Sequence, residues 1–415
     1  MADLSHDFTP APSISGGEAS LQTSEVLFSR TDDRGVIKCG NVNFCRISGY
    51  DWSELQNAPH KIVRHPDMPK GVFELYWSQL KAGKPVGAYV KNRTKTGRYY
   101  WVFALAMPID DGFISIRIKP TGGMLAMIAE MYADLARREQ ADGLTPSESA
   151  AEFCKALAQK GYPTYDVFQS VALASEQKAR SQQLGRPLTP LQTRFMEMSR
   201  AIYQVQTETT DLTEAFQSIR TVPMNMRIIA SRLQTAGGPI SAISVNYSQM
   251  LEDMSTWVNT FVDGDDCVFA RIRNAILRSQ FLGFISGLEN DTITALTAQG
   301  AATPGVLDPK AEVAIIETCI KKNIAETAEA LGRVEHEARR FGRSVLDMKR
   351  YVTGLSSTRM MCKIESASLS ENGADLSGVV DQLDAGQNEI EVRLAHVVEL
   401  NAVIQSNVSM LRSLL

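Results

Sequence analysis

The strongest constraint in this sequence is a change of texture at Pro120. Before it, short β-branched and aromatic runs are separated by Gly-containing turns. After it, strand signals nearly vanish, and apolar residues recur at steps of three and four as far as Leu415. Residues 310–415 contain no proline, so nothing there interrupts a helix. Leu212, Phe216, Ile219, Pro223, Met226 and Ala230 form one heptad run. Ile243, Tyr247, Met250, Met254, Trp257 and Phe261 form another, with Gly237-Gly238-Pro239 between them. Two amphipathic runs about such a break predict an antiparallel helical hairpin. A third run passes from Ile320 through Leu331 and Val334 to Met348. A fourth runs from Ile390 to Leu415 and puts Asn401 at a seam position, where a single asparagine can fix register. The period suits a helical bundle and a dimeric coiled-coil rod alike.

Composition narrows the class. The chain of 415 residues is 44% hydrophobic and 22% charged, enough apolar material for real cores and too much for wholesale disorder. A net charge of −4 carries no nucleic-acid footprint. The most apolar long stretch, Cys267 to Leu288, is interrupted by Arg271, Arg273 and Arg278, so no membrane span is expected. Met1 to Ser20 lacks an apolar signal core and reads as a flexible tail. The six cysteines are scattered without a CxxC pair, which argues against a disulfide scaffold or zinc ribbon and for a reducing, cytoplasmic setting.

Residues 21–121 read as mixed α/β. Val26-Leu27-Phe28 and Val36-Ile37-Lys38 are strand-like about the turn Asp32-Asp33-Arg34-Gly35. Asp51 is placed to cap a short helix, and the spacing predicts a longer helix over Asp67–Leu80, with Asp67 a candidate cap. Val86–Arg93, Arg98–Met107 and Gly112–Ile118 are three further strands joined by turns at Thr96-Gly97 and Asp110-Asp111-Gly112. Residues 25–120 hold 15 Lys/Arg against 9 Asp/Glu, and this basic excess is consistent with an anionic ligand or an internal acidic partner.

One motif is specific. The run Val63-Arg64-His65-Pro66-Asp67-Met68-Pro69 follows Ser48-Gly49-Tyr50 and precedes Lys91-Asn92-Arg93, Gly97 and Tyr100-Trp101. Together these elements resemble the PAS sensor module of bacterial aerotaxis receptors. The resemblance implies an α+β PAS domain over residues 21–121, a five-stranded antiparallel sheet with flanking helices, and non-covalent FAD binding. Arg64, His65, Asp67, Trp77 and Asn92 are the cofactor-binding candidates it implies, with Trp101 a weaker one. The residue chemistry suits those roles. Arginine pairs phosphate bidentately, an indole can stack on a flat ring, and an asparagine offers both donor and acceptor to a ring edge. Tyr100 and Trp101 alternate, so only one of them faces inward. Against these stand plainer readings: Trp77 and Trp101 as core, Arg64 and His65 as a structural turn, Asn92 as a strand-end satisfier.

Haem is the alternative cofactor, with His60 or His65 as axial ligand. A cofactor-free dimerisation scaffold is the competing class. A cysteinyl-flavin photosensor is disfavoured, because Cys45 falls in the first short helix and no cysteine follows until Cys154. Residues 122–186 are expected as a helical linker. Residues 187–299 resemble a degenerate chemoreceptor hairpin, and residues 310–415 close the chain as long helices. The hairpin tip Ser231–Gly238 lacks the glutamates that family carries there. The resemblance implies a homodimer and, as partners, the chemotaxis kinase and its adaptor, against which the missing glutamates weigh. Walker, GxGxxG and HExxH patterns are absent, and His336 lies on a heptad helix with no nucleotide-binding segment after it, so no enzyme is expected.

Overall fold

A computed structural model of the chain describes residues 17–232, 237–262, 264, 267–299, 308–354, 360–361, 363–364 and 373–415. Most of the expected tail, and residues 233–236 of the hairpin tip, lie outside the described residues. The period-two runs form β1 (Val26–Thr31), β2 (Ile37–Gly40), β3 (Val86–Arg93), β4 (Tyr99–Ile109) and β5 (Gly112–Ile118). They make one antiparallel sheet in the order β2-β1-β5-β4-β3. Gly97 and Gly112, both at positive φ, close the two tight hairpins that bring β3, β4 and β5 together. Between β2 and β3 come α1 (Val42–Ser48), α2 (Trp52–Leu55), a 3-10 turn (His60–Val63) and α3 (Lys70–Lys81).

The predicted start of α3 at Asp67 is corrected to Lys70. Pro69 takes the cap position, and Asp67 is instead paired with Lys91 Nζ at 2.6 Å. The cap comes from far along the chain. Glu139 accepts the amides of Lys70 and Gly71, each at 3.0 Å, and so meets the positive end of the helix.

Glu139 belongs to α4 (Met124–Ala141), followed by α5 (Pro146–Gln159) and α6 (Tyr165–Gln183). These helices cover the sheet face turned away from α1–α3. Tyr89, Phe103, Tyr132, Phe153, Tyr165 and Phe168 pack there with ring centroids 5.0–6.4 Å apart. They also close the free edge of β3. Gln169 accepts the Gly87 amide at 3.0 Å, while the Tyr165 and Tyr132 hydroxyls donate to the carbonyls of Gly87 and Tyr89 at 2.8 and 3.1 Å. An open edge that would otherwise template further pairing is thus satisfied by side chains.

The remaining described helices are α7 (Pro190–Ile219), α8 (Val222–Arg232), α9 (Gly237–Phe261), α10 (Val268–Gln299), α11 (Pro309–Gly354) and α12 (Gly373–Leu414). The chain divides into two compact units: residues 1–189 with 280–327, and residues 190–279 with 328–415. In the second unit α8 and α9 form the expected hairpin, α7 packs along α12, and Arg393 of α12 reaches Glu208 and Asp211 of α7 at 3.1 and 2.7 Å. Asn401 is buried in a seam, where its amide donates to the Ala338 carbonyl at 3.0 Å. Among the described residues no helix is long and apolar enough to cross a membrane.

In the first unit α10 and α11 enclose a fully buried carboxyl. Glu289 accepts from the Asn323 amide at 3.1 Å, and burial pushes its pKa up to about 8 from an ordinary 4.5. A pKa raised on folding contributes stability that is complete below the unfolded value and is lost as pH climbs through the folded one. The thermal midpoint should therefore fall as pH rises from about 5 to about 8. Glu289→Gln should flatten that window in a series of melts, and an unchanged slope would contradict the burial account.

Candidate functional site

Strand alternation decides what lies between the sheet and α1–α3. Cross-strand register puts Leu27, Ser29, Ser115, Arg117 and Ala104 on that inner face, with Ala88 directly opposite Ala104 and Val86 opposite Ala106. The paired alanines make a shallow, apolar floor on this face.

Above this floor sits Arg117, 5% exposed. Its guanidinium donates to Ser29 Oγ at 3.1 Å and to His60 Nε2 at 2.6 Å, and lies 5.4 Å over the Phe44 ring. Phe44 and His60 are stacked, 5.6 Å apart and 14° from parallel. Because a guanidinium only donates, His60 Nε2 carries its lone pair toward Arg117. Burial and the Arg117 charge hold the imidazole well below its usual range, so it is neutral. No carboxylate pairs with Arg117 among the described residues; the ionisable side chains that bear on it are the Tyr76 and Tyr100 hydroxyls. Burial pushes Tyr76 up to about 12 and raises Tyr100 further, so both stay protonated. The Tyr100 hydroxyl is buried without a hydrogen-bond partner. A sealed cation answered only by neutral groups, beside an orphaned hydroxyl, is a site built to meet acceptor oxygens or negative charge. The residues therefore fit an oxygen-edged ring system.

The Pro-flanked loop before α3 borders this face at the end of β3. An isolated antiparallel bridge joins Arg64 to Asn92, and the His65 amide donates to the Lys91 carbonyl. Arg64 lies 3.9 Å over Phe73 and donates to the Met68 carbonyl at 3.3 Å; burial lowers its pKa. His65 Nδ1 accepts the Asp67 amide at 3.2 Å, and burial, followed by Lys91, keeps this imidazole below its usual range. Arg64, His65, Asp67 and Asn92 are thus gathered at one rim. Trp77 lies farther along α3, edge-on to Phe113 at 5.4 Å and against Gly35. Trp101 does not join them. It pairs across the sheet with Lys91, on the outer face, 6.3 Å from Tyr132. Its neighbour Tyr100, which pairs with Asn92, takes the inward position, so Trp101 is withdrawn as a candidate. Arg117, His60 and Tyr100 are the residues that the motif-based list lacked.

Comparison with known proteins agrees with this architecture. The PAS fold family matches residues 40–116. The N-terminal module is a PAS domain similar to that of an aerotaxis receptor. It is 40% identical to the aerotaxis receptor of Escherichia coli K12 over 129 residues, which cover 30% of this chain and 26% of the receptor. It is 27% identical to the nitrogen fixation regulatory protein of Klebsiella pneumoniae over 82 residues, 20% of this chain and 17% of that protein. The chain thus spans about a quarter or less of the relatives it matches. Among solved structures, the RsLOV d2 variant aligns over 32% of this chain and 85% of its own, with 15% identity and a TM-score of 0.22.

A buried cation without a counter-charge costs stability. Replacing it with an apolar side chain of similar reach, Arg117→Met, should raise the stability of the cofactor-free protein by roughly 1–3 kcal/mol in denaturant titrations. A loss of stability would mean that the Ser29 and His60 contacts outweigh the desolvation.

Proposed function

We propose that the PAS module binds FAD non-covalently between the inner sheet face and α1–α3, and that the protein is a redox or oxygen sensor relaying the state of that flavin to its helices. The observation that supports this most is Arg117, buried on the alanine-floored face beside the unpaired Tyr100 hydroxyl. When bound, the flavin supplies reversible electron uptake, with an accompanying change of charge at one ring edge.

Each side chain has a definable task in this reading. Arg117 donates to the ring edge and answers added negative charge. Tyr100 donates to a second acceptor, and Asn92, 4% exposed, re-pairs its amide as donor or acceptor demand changes. Neutral His60 orients the guanidinium through its Nε2 lone pair. Arg64 stands at the rim to hold the pyrophosphate, with His65 and Asp67 shaping the loop around it. Haem is the competing reading, with His60 or His65 as axial ligand; from His60 it would need the lone pair already directed at Arg117, whereas His65 has only its Nδ1 engaged, by the Asp67 amide. For the output, the reading is a non-enzymatic, homodimeric transmitter that addresses chemotaxis-type partners through the α8–α9 hairpin, where Met224, Ile228 and Val245 are exposed.

The deciding measurement is the visible spectrum of the purified protein in air and after dithionite. A flavin spectrum bleached by the reductant is expected. A Soret band would favour haem, and a colourless protein that takes up neither group on reconstitution would refute the reading. Arg64→Ala should lower flavin stoichiometry at unchanged helical circular dichroism, whereas Trp101→Phe should leave stoichiometry alone. Equal retention in both variants would contradict the rim assignment.

A further inference from the structure

Strand β1 carries two adjacent residues, Ser29 and Arg30, that make guanidinium contacts on opposite faces of the sheet. Ser29 points inward and receives both guanidinium nitrogens of Arg117 at 3.1 Å. The next residue, Arg30, points outward, and its fork closes on Glu312: Nε reaches the two carboxylate oxygens at 3.1 and 3.0 Å, and Nη2 reaches Oε1 at 2.8 Å. Glu312 lies in the first turn of α11 and is 2% exposed; the Arg30 side chain is 14% exposed. Burial, followed by the charge of the same carboxylate, pushes the Cys39 thiol up to about 12. Cys39 is the cross-strand partner of Arg30 on β2. The first turn of α11 is therefore clamped to β1 through one carboxylate. Asp111 is the other acid on Arg30, at 3.4 Å and largely exposed.

Two features make the clamp sensitive. The ladder between β1 and β2 changes register between Arg30 and Thr31, whereas the β1–β5 ladder is regular from Val26 to Thr31, so β1 moves together with β5 and the slack lies against β2. A bidentate fork also demands planar alignment, and a small displacement of one partner costs more there than in a point-charge contact. Removing Arg30 would leave the Glu312 carboxylate buried and unanswered, so the contact is costly to break.

We infer that the Arg30–Glu312 pair is a latch by which the inner face of the PAS sheet controls the start of α11, with strand β1 as the lever between them. This rests on the flavin reading above for its input. Arg117, drawn toward a more negative ring edge, loosens its hold on Ser29. β1, moving with β5, then shifts against β2 at the irregular point of their ladder, and Arg30 loses alignment with Glu312. The output is the fraying or seating of the first turns of a helix that runs for 46 residues and carries a heptad seam.

Hydrogen exchange by mass spectrometry on the full chain, in air and under dithionite, tests the latch. In the wild type, amides in the first turns of α11 should exchange about tenfold faster after reduction, as expected for the loss of one charge-assisted pair. Glu312→Gln and, independently, Arg30→Gln should make exchange fast in both states and abolish the difference, with flavin stoichiometry and spectrum unchanged. A flavin-loaded wild type with no redox difference over 309–327, or either variant retaining that difference, would overturn the latch and leave the flavin reading standing. A protein that takes up no flavin would overturn that reading, and the redox latch with it.

Discussion

A guanidinium inside an apolar sheet face is the constraint around which this module is organised. Arg117 cannot shed its proton, and the groups that meet it are uncharged: a serine hydroxyl, a neutral imidazole, a phenylalanine ring and two protonated tyrosines. Each of these neighbours is fixed in turn. His60 is stacked on Phe44, Phe44 opens α1 under the Asn41 cap, and Asn41 also accepts the Phe28 amide of β1. The cation is therefore held by a shell that orients it without neutralising it. Such a shell keeps electrostatic potential available to an incoming group, at the cost of stability in its absence.

The sheet works because its two faces are committed to different neighbours. The alternation that gives α1–α3 the alanine floor and Arg117 gives α4–α6 a continuous aromatic layer from Tyr89 to Phe168. The free edge of β3 is tied at Gly87 and Tyr89 by helix side chains, and at Lys91 by the rim loop. Glu176 adds a third class of tie. Fully buried on α6, it accepts from the Tyr89 hydroxyl and from the Thr121 and Gly122 amides, where the chain leaves the sheet. Few groups of the sheet are left to relax against water.

Much of this fold was legible in the sequence, because its signals are local. Val86–Arg93 and Gly112–Ile118 coincide with β3 and β5, since clear alternation bounded by glycine turns needs no distant partner. The rim residues were legible from their motif. What failed was phase and distance. Alternation states that Tyr100 and Trp101 face opposite ways, yet only packing against Tyr132 decides which is outside. The start of α3 was misplaced because its cap is Glu139, about seventy residues away and invisible to a window of helical spacing. Arg117 was readable in principle: Ile114, Ile116 and Ile118 mark one face of β5, so Phe113, Ser115 and Arg117 must share the other. The heptads predicted seams correctly at Asn401, but a period does not name its partner. Residues 280–327 therefore could not be seen to pack with the PAS unit.

That last point changes what the helices are for. A heptad helix that only extends from a sensor can receive a signal through its backbone connection alone. Here α10 meets α6 through Gln280–Ser170 and Arg180–Asp291, and the first turn of α11 meets β1 through Arg30–Glu312. The sheet is thus coupled to helices far from it in sequence by polar contacts, of which the Arg30–Glu312 fork is buried and bidentate. Contacts of that kind transmit better than a broad apolar interface, because they are made or broken rather than slid. A small shift of β1 and β5 together, resisted at the tied edge of β3 and permitted against β2 at their irregular ladder, is then delivered to α11 at one place.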